Sequence, residues 1–173
     1  MLVTAELVRD FVNTYDVEAD ADDLGTPSEL GVWLRERALA GSRDRATDDD
    51  LATAIALREG LRAALRRRPG ASPPELPRLP LTVVIGTRPG LVPVAGGVPG
   101  ALARIAAAAT DSSWERLKVC SEDTCQWAFI DASKNRSRSW CSMRVCGNRT
   151  KTRAYRARKQ GSRRLQPSNT DTV

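Results

Sequence analysis

Four cysteines are the residues in this chain whose type and spacing most clearly point to chemistry. Cys120, Cys125, Cys141 and Cys146 follow the pattern C-x4-C-x15-C-x4-C. Two close pairs separated by a short loop are the sequence form of a structural zinc site. Each pair closes a turn that aims two thiolates at one point, and the residues between fold back as a hairpin. Four sulfurs complete a tetrahedron with no open position, so the metal holds structure and takes no substrate. Two disulfides are an alternative use of the same residues. No basic stretch followed by an apolar run opens the sequence, which disfavours export and with it the disulfides. A redox switch that releases zinc on thiol oxidation is a third reading.

Other chemistry is thinly supplied. The 173 residues contain no histidine. That removes histidine general bases, Ser-His-Asp and Cys-His nucleophiles and histidine metal ligands. The glycine clusters lack the Gly-Lys-Ser/Thr ending of a phosphate loop. Asp48, Asp49 and Asp50 read as a solvated helix start. No nucleophile is paired with a base, and the chain is expected not to be an enzyme.

Charge divides the chain. Residues 1–110 carry 13 basic and 15 acidic side chains, whereas residues 111–173 carry 14 basic and 6 acidic. Twelve Lys or Arg lie between Lys134 and Arg164, with no acid from 132 to 170. A solvated basic tail does not explain why cysteines and tryptophan are interleaved with these charges. A polyanion partner does.

The elements that must position these residues follow from pattern. Trp127–Ile130 is strand-like, 133–137 is a polar loop, and 138–140 returns toward Cys141. A helix then starts near Ser142 or Met143 and runs to about Lys159. Residues 144–159 would span roughly 24 Å. At 100° per residue Cys146, Thr150, Ala154 and Ala157 form a narrow stripe of small side chains that can lie on the zinc core. Arg149, Arg153 and Arg156 flank one side of it, and Arg144, Lys151 and Arg158 the other. Such a helix suits a phosphate backbone or a major groove. Lys134, Arg136 and Arg138 on the hairpin loop join the candidate nucleic-acid contacts. Asn148 is expected either to read an adenine edge or to bond the local backbone. Gly147 is read as allowing a tight approach at the zinc turn. Trp127 and Trp140 are expected to pack the small core.

The stretch Arg116–Cys120, then Phe129-Ile130-Asp131-x-Ser133, then Asn135-Arg136-Ser137-Arg138-Ser139-Trp140-Cys141-Ser142-Met143 and Arg144-Val145-Cys146-Gly147-Asn148-Arg149 resembles the CGNR zinc-finger family. Upstream, Phe11-Val12-Asn13-Thr14 and Ala56–Arg62 resemble the ABATE domain that usually precedes this finger. The resemblance implies a bacterial, stress-linked transcription regulator whose zinc-bound module binds DNA. By themselves, the residues support a polyanion-binding zinc module. Ser139 departs from the family pattern, in which a second arginine often precedes the tryptophan.

The N-terminal part reads as helical. Leu7, Val8, Phe11, Val12 and Tyr15 give a first helix over 4–15. Thr26-Pro27 starts a second, which Gly41 ends. A third follows Thr47 and places Leu51, Ala54, Ile55, Leu61 and Leu65 on one face, until Pro69-Gly70 stops it. Five prolines in 69–80 make a stiff connector. Leu81–Ile85 and Leu91–Val94 flank a turn at 87–90. Residues 96–100 are a break, and Leu102, Ile105, Ala106 and Ala109 form another helix. Arg58 falls within the apolar face of the third helix. It reads as a snorkelling stem or an internal ion pair, or as the anion-binding residue of an effector pocket shared with Asn13.

The fold class expected is α+β. A mainly helical domain with a β-hairpin occupies 1–112. A small treble-clef-like four-cysteine zinc module ending in a basic helix occupies 113–159, and 160–173 is a disordered tail. The function expected is a zinc-dependent DNA-binding transcription regulator, with an RNA-binding or ribosome-associated zinc protein as the alternative. The expected partners are duplex DNA, RNA polymerase or another transcription factor, and a second copy of the chain. No membrane is involved and the location is cytoplasmic.

Overall fold

The computed structural model describes residues 5–66, 77–87, 89–110 and 112–164. Helix α1 (Ala5–Val12) buries Val8, Phe11 and Val12 at helical spacing. It stops short of residue 15 because Tyr15–Asp16 (β1) turns back to pair with Ala21–Asp22 (β2). The carbonyls that a longer helix would use find other partners. The Thr14 hydroxyl donates to the Phe11 carbonyl at 2.8 Å, and Arg62 donates to the carbonyls of Val12 and Tyr15 at 2.7 and 2.8 Å.

Helix α2 (Pro27–Glu36) begins as its sequence signal predicts. Thr26 is the N-cap and accepts from the Glu29 N–H, with proline in the first turn. Helix α3 (Asp48–Arg66) starts with a reciprocal cap. The Thr47 hydroxyl accepts from the Asp50 N–H, and the Asp50 carboxylate accepts from the Thr47 N–H. Its buried face differs from the expected one. Ala54, Leu57, Arg58, Leu61, Arg62 and Leu65 are buried, while Leu51 and Ile55 are half-buried. Two arginines point inward on this face, Arg58 to the Asp22 carboxylate and Arg62 to the carbonyls of Val12 and Tyr15.

Strands β3 (Leu81–Ile85) and β4 (Pro89–Pro93) form an antiparallel hairpin with Val83 opposite Leu91. Pro89 and Gly90 belong to β4, not to the turn. Residues 96–100, expected as a break, open helix α4 (Gly97–Ala108). Gly97 has a positive φ of 60°. A Cβ on Gly100 would stand 2.2 Å from the Ala95 carbonyl oxygen, so only glycine lets the chain enter the helix this closely.

A 3-10 turn (Ser112–Arg116) leads into β5 (Leu117–Val119), which pairs with β6 (Ala128–Ile130). A π-helical turn (Met143–Gly147) and helix α5 (Asn148–Arg164) complete the described chain. The helix therefore runs past residue 160, where the tail was expected to begin; residues 165–173 and connector residues 69–76 lie outside the described ones.

One core ties these parts together. Phe11, Leu24, Leu30, Leu34, Leu57, Leu102 and Ile105 are fully buried, and Leu117, Val119 and Ala128 from the β5–β6 hairpin join the same cluster. Helix α1 packs on β6 and α3 on β5. The cysteines form a second, smaller cluster with Trp140. Among the described residues no helix is long and apolar enough to cross a membrane.

Candidate metal centre and nucleic-acid interface

The cysteines arrive from two tight structures. The Cys120 N–H donates to the Trp127 carbonyl at 2.9 Å, and the Cys125 N–H donates to the Glu122 carbonyl at 3.0 Å. These bonds close the first loop at the end of β5. Cys141 ends the loop that follows β6. Cys146 sits in the π-helical turn, where Ser142 is the N-cap and accepts from the Val145 N–H. All four sulfurs lie within 4.8 Å of one another. The Cys125–Cys141 and Cys141–Cys146 separations are both 3.7 Å.

Zn–S bonds of about 2.3 Å in a tetrahedron place the sulfurs about 3.8 Å apart. Disulfide sulfurs lie about 2.0 Å apart. The arrangement fits one zinc ion, and all four cysteines are free thiols. Electrostatics agrees with the geometry. Burial is the main reason that the Cys125 and Cys141 thiols are pushed upward, and at Cys141 the neighbouring sulfurs add to it. A dication at the centre would reverse that penalty and be held by the four cysteines as thiolates.

Two buried carboxylates, which the sequence reading did not single out, build the frame around this centre. Glu122 accepts from Arg153, from the Thr150 hydroxyl at 3.0 Å and from the Thr124 hydroxyl at 3.2 Å. The Arg153 guanidinium is the main reason its carboxyl is held down to about 2. Asp131 accepts from the Lys118 ammonium at 2.7 Å, the Ser133 hydroxyl at 2.6 Å, and the N–H groups of Ser133 and Arg138, both at 3.0 Å. The Lys118 ammonium, then Ser133, hold its carboxyl well below the usual carboxylate range. Asp131 thereby folds the 131–138 loop over the hairpin. The Asp131-x-Ser133 spacing of a local turn was the available signal. Glu122 had none, because its partners on α5 are about thirty residues away.

The basic residues separate into two groups. Arg149 pairs with Glu18 at 2.9 Å, Arg153 with Glu122 and Arg136 with Glu115. Arg138 donates to the Cys141 carbonyl at 2.7 Å, and its guanidinium stands 5.0 Å from the centre of the Phe129 ring. The Asn148 amide donates to the Arg144 carbonyl at 3.0 Å, a local bond to the π-helical turn before its helix. By contrast Lys134, Arg144, Lys151 and Arg156 are exposed with no acid partner among the described residues, and Arg158 is exposed alongside them.

Two expectations need correction. The stripe of small residues does not rest on the zinc core beyond Thr150. Every residue from 151 to 160, Ala154 and Ala157 included, is exposed. Helix α5 is held through Arg149, Thr150 and Arg153 in its first turns, just after Cys146, and residues 154–160 are exposed. Trp140 packs against the cysteines, but Trp127 is 39% exposed at the edge of β6. At Gly147 a Cβ would meet the Met143 sulfur at 2.5 Å, so the close approach there is to a side chain.

The side chains of Asn13 and Arg58 take different partners. Arg58 is 3% exposed and makes a two-pronged ion pair with Asp22 at 2.6 and 2.8 Å, with further bonds to Glu59 and Thr14. These bonds to groups of its own chain are what the ion-pair reading expects. The Asn13 amide instead pairs with both backbone groups of Ala128, donating to its carbonyl at 3.0 Å and accepting its N–H at 2.7 Å. It extends β6 like one residue of a strand and ties the finger hairpin to the helical part. Asn13→Ala leaves a buried donor and acceptor unpaired. It should cost about 2–3 kcal/mol, read as a fall in Tm of about 4–12 °C with the zinc content unchanged.

Comparison with known families agrees with this geometry. Residues 5–115 match the ABATE family, described as "Putative stress-induced transcription regulator", and residues 116–159 match the CGNR zinc finger. That description is of a regulator, not an enzyme. No curated protein matches the chain. An N-terminal helical body whose core takes in the finger's own hairpin, followed by a four-sulfur centre, is thus the form in which this chain belongs to the ABATE family of transcription regulators and carries a CGNR zinc finger.

Proposed function

We propose that the chain regulates transcription by binding duplex DNA through its zinc module. One observation carries this reading. Helix α5 holds eight Lys or Arg and no acid over Asn148–Arg164, and every residue from 151 to 160 is exposed. A helix polar on every face has no packing reason to exist alone. A helix about 10–12 Å across fits a major groove about 12 Å wide, and its charges meet phosphates on both walls. Zinc roots it at one end, so the helix is presented as a rigid arm. Residues 113–159 then form the DNA-binding part. Residues 1–112 serve dimerisation, effector sensing or contact with RNA polymerase or another transcription factor.

Within the interface, Lys134, Arg144, Lys151, Arg156 and Arg158 are the phosphate contacts. Arg136, Arg138, Arg149 and Arg153 position the loop and the helix before any partner arrives. The triple variant Arg144→Ala, Lys151→Ala, Arg156→Ala should bind duplex about a hundredfold more weakly near 0.15 M salt, and its log–log salt slope should be shallower by about 3. Fluorescence anisotropy across a salt series measures both. An unchanged slope would remove these three from the interface.

A second reading has an observation in its favour. Trp127 and Tyr155 are exposed aromatic rings, and such rings can stack unpaired bases of RNA. Binding of the zinc-loaded chain to pooled genomic duplexes, with excess competitor RNA present, separates the two. Enrichment of a shared duplex motif supports the DNA reading. Loss of all duplex signal to the RNA transfers the interface to RNA.

A further inference from the structure

We infer that strand β3 is an open edge through which two copies of this chain pair into a four-stranded antiparallel sheet. The backbone phase of the hairpin makes the argument. The Val94 N–H donates to the Pro80 carbonyl at 3.2 Å, so Pro80 and Val94 form a hydrogen-bonded pair. Such pairs alternate along an antiparallel ladder. Thr82–Val92 and Val84–Gly90 are then the bonded pairs that follow. Leu81, Val83 and Ile85 lie between them and turn both N–H and C=O away from β4. On the opposite edge the outward residues are Pro89, Leu91 and Pro93, two of which have no N–H to offer. One edge of this hairpin is closed by proline, and the other is open among the described residues.

The side chains along the open edge fit a copy of the same strand. Val83 is 62% exposed and Ile85 78% exposed. With Leu81 they share a face with Pro89, Leu91 and Pro93, because directly opposed residues of an antiparallel pair point the same way. Neither strand contains a charged residue, so a nucleic acid or an acidic or basic peptide finds no countercharge there. A second β3 finds a match. A two-fold axis through Val83 sets Leu81 of one copy opposite Ile85 of the other and adds about six N–H···O bonds between the chains. The proline edge then stops growth, so the assembly closes at two copies and does not run on as a fibre. A lone two-stranded hairpin is marginal, and a four-stranded sheet is not. Helix α4 holds β4 from the body side and leaves β3 outermost among the described residues.

This inference deepens the dimerisation role proposed above for the N-terminal part. It is read in the absence of nucleic acid, so its failure and the failure of the DNA reading are separate events. Sedimentation equilibrium of the zinc-loaded full chain should approach twice 18.8 kDa as concentration rises. Val83→Pro removes one outward donor per copy and no bond within the hairpin. Val83→Lys places like charges on the two-fold axis. Each should weaken the dimer by about tenfold or more, with one zinc and the wild-type far-UV spectrum retained. Val92→Lys, on the other face of β4, should leave the dimer intact. If Val83→Pro misfolds, Val83→Lys decides. A wild-type mass of 18.8 kDa at every concentration would overturn the inference, as would a Val83→Lys chain that dimerises like wild type.

Discussion

Removing zinc with a chelator, or replacing Cys141 with serine, is expected to melt the chain from about residue 131 onward and leave the rest folded. Structural zinc contributes about 10–16 kcal/mol in small sites. Little else holds this region. Beyond Thr150 helix α5 keeps the Arg153–Glu122 ion pair, but every residue from 151 to 160 is exposed and the eight like charges of the helix repel. The loop from 131 to 141 rests on Asp131, and Cys141 lies at the centre of the sulfur cluster, 3.7 Å from two others. The hairpin of β5 and β6 behaves differently. Leu117, Val119 and Ala128 belong to the main core, and Asn13 pairs with the Ala128 backbone. It should therefore survive metal loss. The signature is a drop in helical far-UV signal worth one long helix. Amide cross-peaks should disappear for 131–160, while those of 117–119 and 128–130 persist. A Cys141→Ser chain that keeps a full zinc equivalent and an intact α5 would show that the metal does not carry the module.

Arg58→Ala should be the most damaging single change outside the metal centre, at about 4 kcal/mol. That corresponds to a fall in Tm of about 8–16 °C for a chain of this size. Arg58 holds Asp22, and so the β1–β2 turn, against α3, and its guanidinium lies 5.2 Å from the centre of the Tyr15 ring. Arg62 beside it caps the carbonyls of Val12 and Tyr15. The two form one network, so Arg58→Ala combined with Asp22→Ala should cost less than the sum of the separate changes. The cation is the deeply buried member, at 3% exposure against 29% for Asp22. Asp22→Ala therefore leaves a guanidinium with Glu59 as its remaining acid and should also be severe.

The hydrogen bond from Arg58 is the main reason the Asp22 carboxyl lies below its ordinary value. The stability it contributes is present above about pH 4, where the unfolded carboxyl is already ionised. It is lost as pH falls through the folded value. Urea midpoints of wild type and Asp22→Asn should converge below pH 4 and separate above it. Parallel curves across that range would mean the pair adds nothing that depends on charge.

The parts of this protein legible in the sequence are those whose partners lie within a few residues. The cap at Thr26 was readable because a cap bonds three residues ahead. The breaks around Gly96 and Pro89 were misread for the complementary reason. Glycine and proline there enter a helix start and an edge strand, and only the packing of α4 against β4 shows which of their allowed conformations is used. Arg58 was recognisable as out of place on an apolar face, but its partner was not, since Asp22 is 36 residues away.

By itself the sequence determined the metal centre and the charge of the module around it. Two short spacers force each cysteine pair into a turn, and a run of Lys and Arg without acids is strongly positive whatever its fold. Tertiary structure alone decided which of those bases are free. Arg149 meets Glu18 across 131 residues, and Arg153 meets Glu122 across 31, while Arg144, Lys151 and Arg156 meet no acid among the described residues. It also decided that the finger's hairpin is built into the helical core through Asn13, across 115 residues. The physical reason is common to all of these. A short-range contact is set by the chain's own geometry, but a contact between distant residues exists only once other elements have packed and brought them within a few ångströms.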